Sequence, residues 1–230
     1  MRSLTLEKQE RFYVVADCVI LGFKNGKIFV LIAKSDIDTL KDMDSLPNVF
    51  LMSNKGLTET VVQLVQKYTG IENTYICQAK VYDKTLQSDY QVVTVAFFAL
   101  INMQEFDQQL LTMHNTRWVE LSCAKNLIID QDQILKETVA FMQKKAAAEP
   151  IAFSLLPKRF TLPQVQNLYE ALFRMTFDKR NFRKKILDMN ILDKFDEKDR
   201  VGSKKGAFLY KFNEDKFQRF LKKKHIFSLR

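Results

Sequence analysis

The 230-residue sequence predicts an α+β chain, and three observations carry that expectation. Apolar, β-branched runs recur without a regular strand–helix–strand repeat, which argues against a parallel α/β sheet. Amphipathic segments at helical spacing lie among them. Charge is divided sharply: residues 1–150 hold 16 Lys+Arg and 18 Asp+Glu, whereas residues 151–230 hold 20 and 9. The expected organisation is a nearly neutral mixed sheet with helices over residues 1–150. A basic unit follows over residues 151–230, where an anionic polymer would bind.

Tyr13 to Phe23 (YVVADCVILGF) reads as a buried strand. Asn25-Gly26 is a hairpin turn, and Lys27 to Ala33 returns as a second strand. Residues 35–48 are polar and turn-rich. Gly56 to Tyr68 reads as a helix with Leu57, Val61, Leu64, Val65 and Tyr68 inward, stopped by Gly70. Glu72 to Tyr82, Gln91 to Ile101 and Thr116 to Leu121 read as strands. Ile129 to Ala148 closes the first unit as an amphipathic helix, and Glu149-Pro150 marks the boundary, followed by an apolar linker that packs.

The overall balance, 47% hydrophobic and 27% charged, is that of an ordinary water-soluble protein. No apolar stretch of about 18 residues and no leader pattern is present, so a cytoplasmic location without membrane contact is expected. Cys18, Cys77 and Cys123 have no metal-ligand spacing and read as reduced core residues. His114 and His225 have no local nucleophile or acid arrangement, and no Gly-rich phosphate loop appears. No catalytic residue, cofactor or metal is expected.

The basic unit opens with two short helices. Thr161 is a suitable N-cap, Pro163 fits the first turn, and Leu162, Val165, Leu168, Tyr169 and Leu172 recur at helical spacing. Met175-Thr176-Phe177 breaks that helix and Asp178 caps the next. There Phe182, Ile186 and Met189 share one face, while Arg180, Arg183 and Lys184 point the other way with Lys179 and Asn181 at the flanks. Taken alone, that face reads first as a solvated charge surface. Strands at Ile191 to Glu197 and Ala207 to Phe212 flank a Gly-bounded basic loop, DRVGSKKG. Helix, turn, helix and hairpin is the order of a winged helix. Arg180, Asn181 and Arg183 would then read base edges of duplex DNA, and Lys179, Lys184, Lys204 and Lys205 would hold phosphates.

The TGI after the first helix, the RWVEL strand and the join to LPKRFTLPQVQNLYEALF…DKRNFRKK resemble the Nudix-related transcriptional regulators, bacterial repressors of NAD and sugar metabolism. Segments such as VVTVAFFALIN, EPIAFSLLPKRFTL and GSKKGAFLYKF are most similar to the arabinose-responsive regulators. The resemblance implies a Nudix-like sensor domain, a winged helix and a homodimer on a near-palindromic operator. In active Nudix enzymes the box G-x5-E-x7-R-E-U-x-E-E-x-G-U sets several carboxylates on one helix for a divalent cation. Anchored on Gly70-Ile71, the box here has Val49 for its first Gly and Lys55 for its first Glu. Gln63-Leu64 replaces the Arg-Glu pair and Lys67-Tyr68 the Glu-Glu pair, leaving Glu59 as the one acid inside the segment. Pyrophosphatase activity is therefore not expected. By the same resemblance the former substrate cleft would hold a small sugar or sugar-nucleotide effector, with Asp17, Lys34, Asn48, Phe50 and Tyr82 as lining candidates. Taken by itself, a lone Asp17 within a strand reads first as a polar residue satisfied by backbone. Competing readings are an RNA- or protein-binding module without an effector, and a hydrolase with displaced metal ligands.

Overall fold

The computed structural model describes residues 12–52, 54–85, 91–106, 108–200, 206–223 and 226–228. Strands β1 (Phe12–Lys24) and β2 (Lys27–Lys34) form a hairpin closed by Asn25 and Gly26, at φ 51° and 74°. Two consecutive left-handed residues are what a two-residue hairpin requires, and Asn-Gly accepts them at least cost. β6 (Gln91–Ile101) runs parallel to β1, and β5 (Tyr75–Thr85) pairs antiparallel with β6. Short strands complete a seven-stranded mixed sheet: β3 (Asp44–Ser45) and β7 (Arg117–Glu120) pair with β2, and β4 (Asn48–Phe50) with β1.

Helices cover both faces, which explains why β1 and β6 are apolar throughout rather than alternating. α1 (Leu57–Thr69) packs Val61, Leu64 and Val65 against Ala16, Cys18, Ile20 and Phe97. It ends at Gly70, whose φ of 69° gives the left-handed cap that releases the chain into β5. A five-residue helix, α2 (Gln109–Met113), follows β6. α3 (Gln131–Ala148) covers the opposite face, where Ile134, Leu135 and Met142 join Val19, Leu21 and Phe98.

A 3-10 segment over Pro150–Leu155 leads into the basic part. There β8 (Phe160–Thr161), α4 (Leu162–Phe173), α5 (Lys179–Asp188), β9 (Leu192–Asp199), β10 (Ala207–Phe212) and α6 (Glu214–Lys222) follow in order. The three strands form an antiparallel sheet ordered β8-β10-β9. The Thr161 hydroxyl accepts from the Gln164 backbone N–H while the Gln164 side chain accepts from the Thr161 N–H, a reciprocal capping box that starts α4.

The apolar core continues from the α3 side of the large sheet into these helices. Ile151, Ala152, Leu155 and Leu156 are buried between the two parts, and Phe153 stacks on Phe160 and Phe212 at ring separations of 5.3 and 5.1 Å. Gln143 of α3 donates its amide Nε2 to the Leu172 carbonyl in the last turn of α4, at 2.6 Å. All three cysteines are free, and only Cys18 is a core residue. Cys77 is half-buried and Cys123 exposed, because Cys123 falls in the turn after β7 rather than in a strand. No described helix is long and apolar enough to cross a membrane.

Candidate functional site

The helix pair α4–α5 is built so that one face of α5 cannot move. Phe182 and Ile186 are buried, and Phe182 lies against Tyr169 and Phe177 at ring separations of 6.1 and 5.3 Å. The turn before α5 is tied down by Glu170, whose Oε1 accepts from the Phe177 N–H and from Gln166 Nε2, both at 2.9 Å. The Phe177 hydrogen bond and that from Gln166 hold the Glu170 carboxyl below its ordinary range. Arg174, at φ 52°, takes the left-handed cap of α4. Asp178 then caps α5 by accepting from the Asn181 N–H at 2.9 Å.

With the apolar face fixed inward, Lys179, Arg180, Asn181, Arg183 and Lys184 are all exposed on one helix. Lys179 and Arg180 occupy the first turn, where the helix dipole is positive and cations cost roughly 0.3–1 kcal/mol each. Such placement offers nothing to stability, but it concentrates positive charge where an anion would dock. Lys204 and Lys205 lie outside the described residues, between β9 and Gly206. His225 lies outside them too, whereas His114 packs edge-on against Tyr68 at 5.4 Å.

A second feature lies on the α3 face of the large sheet. A cavity of about 280 Å³ is lined by Asp17 of β1, Asn48 and Phe50 of β4, Lys80 and Tyr82 of β5, and Thr94 of β6. Ile129, Gln131 and Glu137, in or just before α3, close it. Four of the five expected lining residues therefore converge. Lys34 does not, because its ammonium is bound 3.0 Å from Asp44 at the other side of β2. Asp44 also accepts from Arg117, and these two cations hold its carboxyl down at about 2.

Inside the cavity Gln131 is the organising residue. Its Oε1 accepts from the Leu46 N–H at 2.8 Å and its Nε2 donates to Asp17 at 3.2 Å. Burial pushes the Asp17 carboxyl up to about 7, against the partial relief of the Gln131 hydrogen bond. Asp17 is thus satisfied by a side chain from α3 rather than by backbone. Glu137 accepts from Lys80 at 2.7 Å, from Tyr82 at 3.0 Å and from Gln133, and those donors bring its carboxyl down to about 2. Ile129, exposed at the rim, has φ 51°, a strained value for a β-branched residue.

Gln131, Glu137, Lys80 and Thr94 were not among the expected residues. Lys80 and Tyr82 share one face of β5, and Gln133 and Glu137 share one face of α3, so each pair was visible locally. That α3 crosses over β5 is a tertiary fact, and no local pattern records it.

Helix α1, which aligns with the Nudix box, carries Glu59 as its single acid. Glu59 is exposed and accepts from Gln63, itself bound to Lys55 at 2.7 Å. Among the described residues no group of three or more His, Cys, Asp or Glu could hold a metal ion.

Residues 152–212 match the family model of the NrtR DNA-binding winged helix domain. The C-terminal part is an NrtR-type winged helix. The match spans α4, α5, β9 and β10. Over the longer chain, the ADPR responsive transcriptional repressor NtrR of Acinetobacter baylyi is 26% identical across 204 residues, covering 86% of this chain and 81% of the relative. Shewanella oneidensis NrtR, in a crystal structure with a 27mer DNA, superposes with a TM-score of 0.80 at 21% identity, covering 89% of this chain and 95% of that one. A MutT/nudix family protein from Enterococcus faecalis gives 0.68 at 17% identity, covering 89% of each chain. These likenesses establish the architecture: a Nudix-like mixed sheet followed by an NrtR-type winged helix, the domain order of the Nudix-related transcriptional regulators.

Proposed function

We propose that this chain is a bacterial, cytoplasmic, non-catalytic repressor whose winged helix binds operator DNA and whose Nudix-like part senses a small sugar-bearing ligand. The domain boundary in this reading falls at Glu149-Pro150. Lys179, Arg180, Asn181, Arg183 and Lys184 face the DNA, and Lys204 and Lys205, which follow β9 in sequence, hold phosphates. The repressor acts as a homodimer, whose two-fold axis would set the recognition helices about one DNA turn apart.

The observation that carries the sensor reading is the convergence of Asp17, Asn48, Phe50 and Tyr82 with Gln131 and Glu137 on one cavity. Its 280 Å³ lies just under the roughly 300–1,000 Å³ of ordinary small-molecule sites. The lining is acidic, through Asp17, Asp130 and Glu137, and its one cation, Lys80, is committed to Glu137. A neutral monosaccharide suits that chemistry: ring hydroxyls can donate to the carboxylates while Phe50 and Tyr82 supply apolar walls. A pentose such as arabinose is of that class. ADP-ribose is the second reading, favoured by the description of the Acinetobacter relative as ADPR responsive. Its diphosphate would have to displace Glu137 from Lys80.

α3 offers the route from pocket to DNA. Its first two turns line the cavity, and further along the same helix Gln143 holds the end of α4. A ligand that shifts α3 acts on the helix packed against α5.

A thermal-shift screen against pentoses, hexoses, sugar phosphates and ADP-ribose tests the reading. At 100 times its dissociation constant a ligand stabilises by about 2.7 kcal/mol. A neutral monosaccharide is expected to raise the melting temperature. A response to ADP-ribose alone would replace it with the second reading, and no response to any member would remove the cavity as an effector site.

A further inference from the structure

We propose that β9 carries a second phosphate-binding track, in which Lys194 and Lys198, both seated on the Phe208 ring, grip the DNA backbone beside the recognition helix. This rests on the DNA-binding role of the winged helix. It assigns contacts to residues outside α5 and outside the loop that follows β9.

The geometry begins with the pairing of β9 and β10. Lys198 lies opposite Phe208, and Lys194 lies opposite Tyr210, so a bulge in β9 separates the two pairs. Directly opposed residues of an antiparallel pair project to the same side of the sheet. Tyr210 is buried in the core, so that side is the one facing the helices. Phe208 also shares a cleft with Arg183 of α5 and with Leu162 and Pro163 at the start of α4. The ring that carries the two lysines therefore walls the same cleft as a recognition-helix arginine.

The Lys194 ammonium lies 3.9 Å and the Lys198 ammonium 4.5 Å from the centroid of Phe208. A cation is attracted to the face of an aromatic ring, and covering a half-buried ring in this way is ordinary behaviour for one lysine. A second cation on the same ring adds repulsion well inside the Debye length of about 8 Å at physiological salt. Among the described residues neither lysine has a carboxylate partner. Two of the neighbouring acids are turned elsewhere, Asp193 onto Lys216 at 2.8 Å and Glu197 onto Arg159 at 2.7 Å. Two unneutralised ammonium groups are thus held close together by an aromatic platform. A phosphate oxygen between or beside them would cancel the repulsion, and counterions released from the duplex would add to the gain. Asp196, exposed at the bulge, is the acid such a backbone would approach.

The test uses the full chain and a duplex selected from a randomised library, with affinity measured over a series of salt concentrations. Lys194→Gln and Lys198→Gln should each flatten the slope of log affinity against log salt by about one, and the double variant by about two. The ranking of duplex sequences should not change, and both exposed substitutions should melt with the unmutated protein. Asp196→Asn should act in the opposite sense and tighten binding. An unchanged slope and affinity in the double variant would overturn the proposal, as would an altered sequence ranking, which would place the lysines at base edges. Failure of the unmutated chain to bind any duplex would remove the DNA-binding role itself, and this inference with it.

Discussion

Phe182→Ala is expected to destabilise the winged helix by about 3–5 kcal/mol and to abolish sequence-selective DNA binding with it. Phe182 is 3% exposed and touches the Tyr169 and Phe177 rings, so truncation leaves a cavity between α4 and α5 that a short helix pair cannot close. The binding loss follows from placement: Arg180 and Arg183 flank Phe182 in sequence, and their direction depends on which face of α5 is pinned. Phe182→Leu, which retains most of the volume, should lose far less of both. Denaturant unfolding and DNA anisotropy on the same preparations check this. A small stability cost for the alanine variant would mean that α5 is not held by its apolar face.

The second large effect is pH-dependent. The Asp17 carboxyl titrates near 3.8 ordinarily and near 7 in its buried position. Between those values the folded protein holds a proton that the unfolded chain does not. Stability from this group is therefore greatest at low pH, falls as pH rises across the window, and levels off above 7. Asp17→Asn keeps an acceptor for Gln131 and removes the titration. Relative to the unmutated protein it should gain nothing near pH 4 and roughly 4 kcal/mol by pH 8, at about 1.4 kcal/mol per pH unit. Melting curves from pH 4 to 8 would show the two proteins diverging by about 2–4 °C for each kcal/mol. Parallel curves would show that Asp17 is hydrated or paired in the folded state. A protein that keeps so costly a carboxyl facing a cavity fits a site in which that carboxyl meets a ligand.

Much of the fold could be read before any coordinates, because its signals are local. Asn25-Gly26 specifies a hairpin, Thr161 an N-cap, Gly70 a helix stop, and Asp178 a second cap. Helix α5 was legible for the same reason: Phe182 and Ile186 define an inside, and the cations follow as the outside. Strands β3, β4 and β8, of two or three residues, were not, since they are too short to show alternation and exist only through their partners. The cavity beside α3 was half legible. Asp17, Asn48, Phe50 and Tyr82 were reached through the resemblance, as lining of the former substrate cleft. Gln131 and Glu137 lie on a helix whose face toward the cavity depends on how α3 crosses the sheet, and Lys34 was drawn off by Asp44. The Lys194–Phe208–Lys198 cluster depends on a β-bulge, which an alternation pattern does not reveal.

The most direct test of the central claim is an equilibrium titration of library-selected duplex, random duplex and single-stranded RNA with the unmutated chain and with Arg180→Ala. The selected duplex should bind at least about 10³-fold more tightly than random duplex. Arg180→Ala should cost roughly 1–3 kcal/mol, concentrated at particular base pairs, while random-duplex affinity falls only slightly. Equal affinity for all three nucleic acids, a preference for the RNA, or an Arg180→Ala variant with unchanged selectivity would contradict the assignment of α5 as the helix that reads an operator.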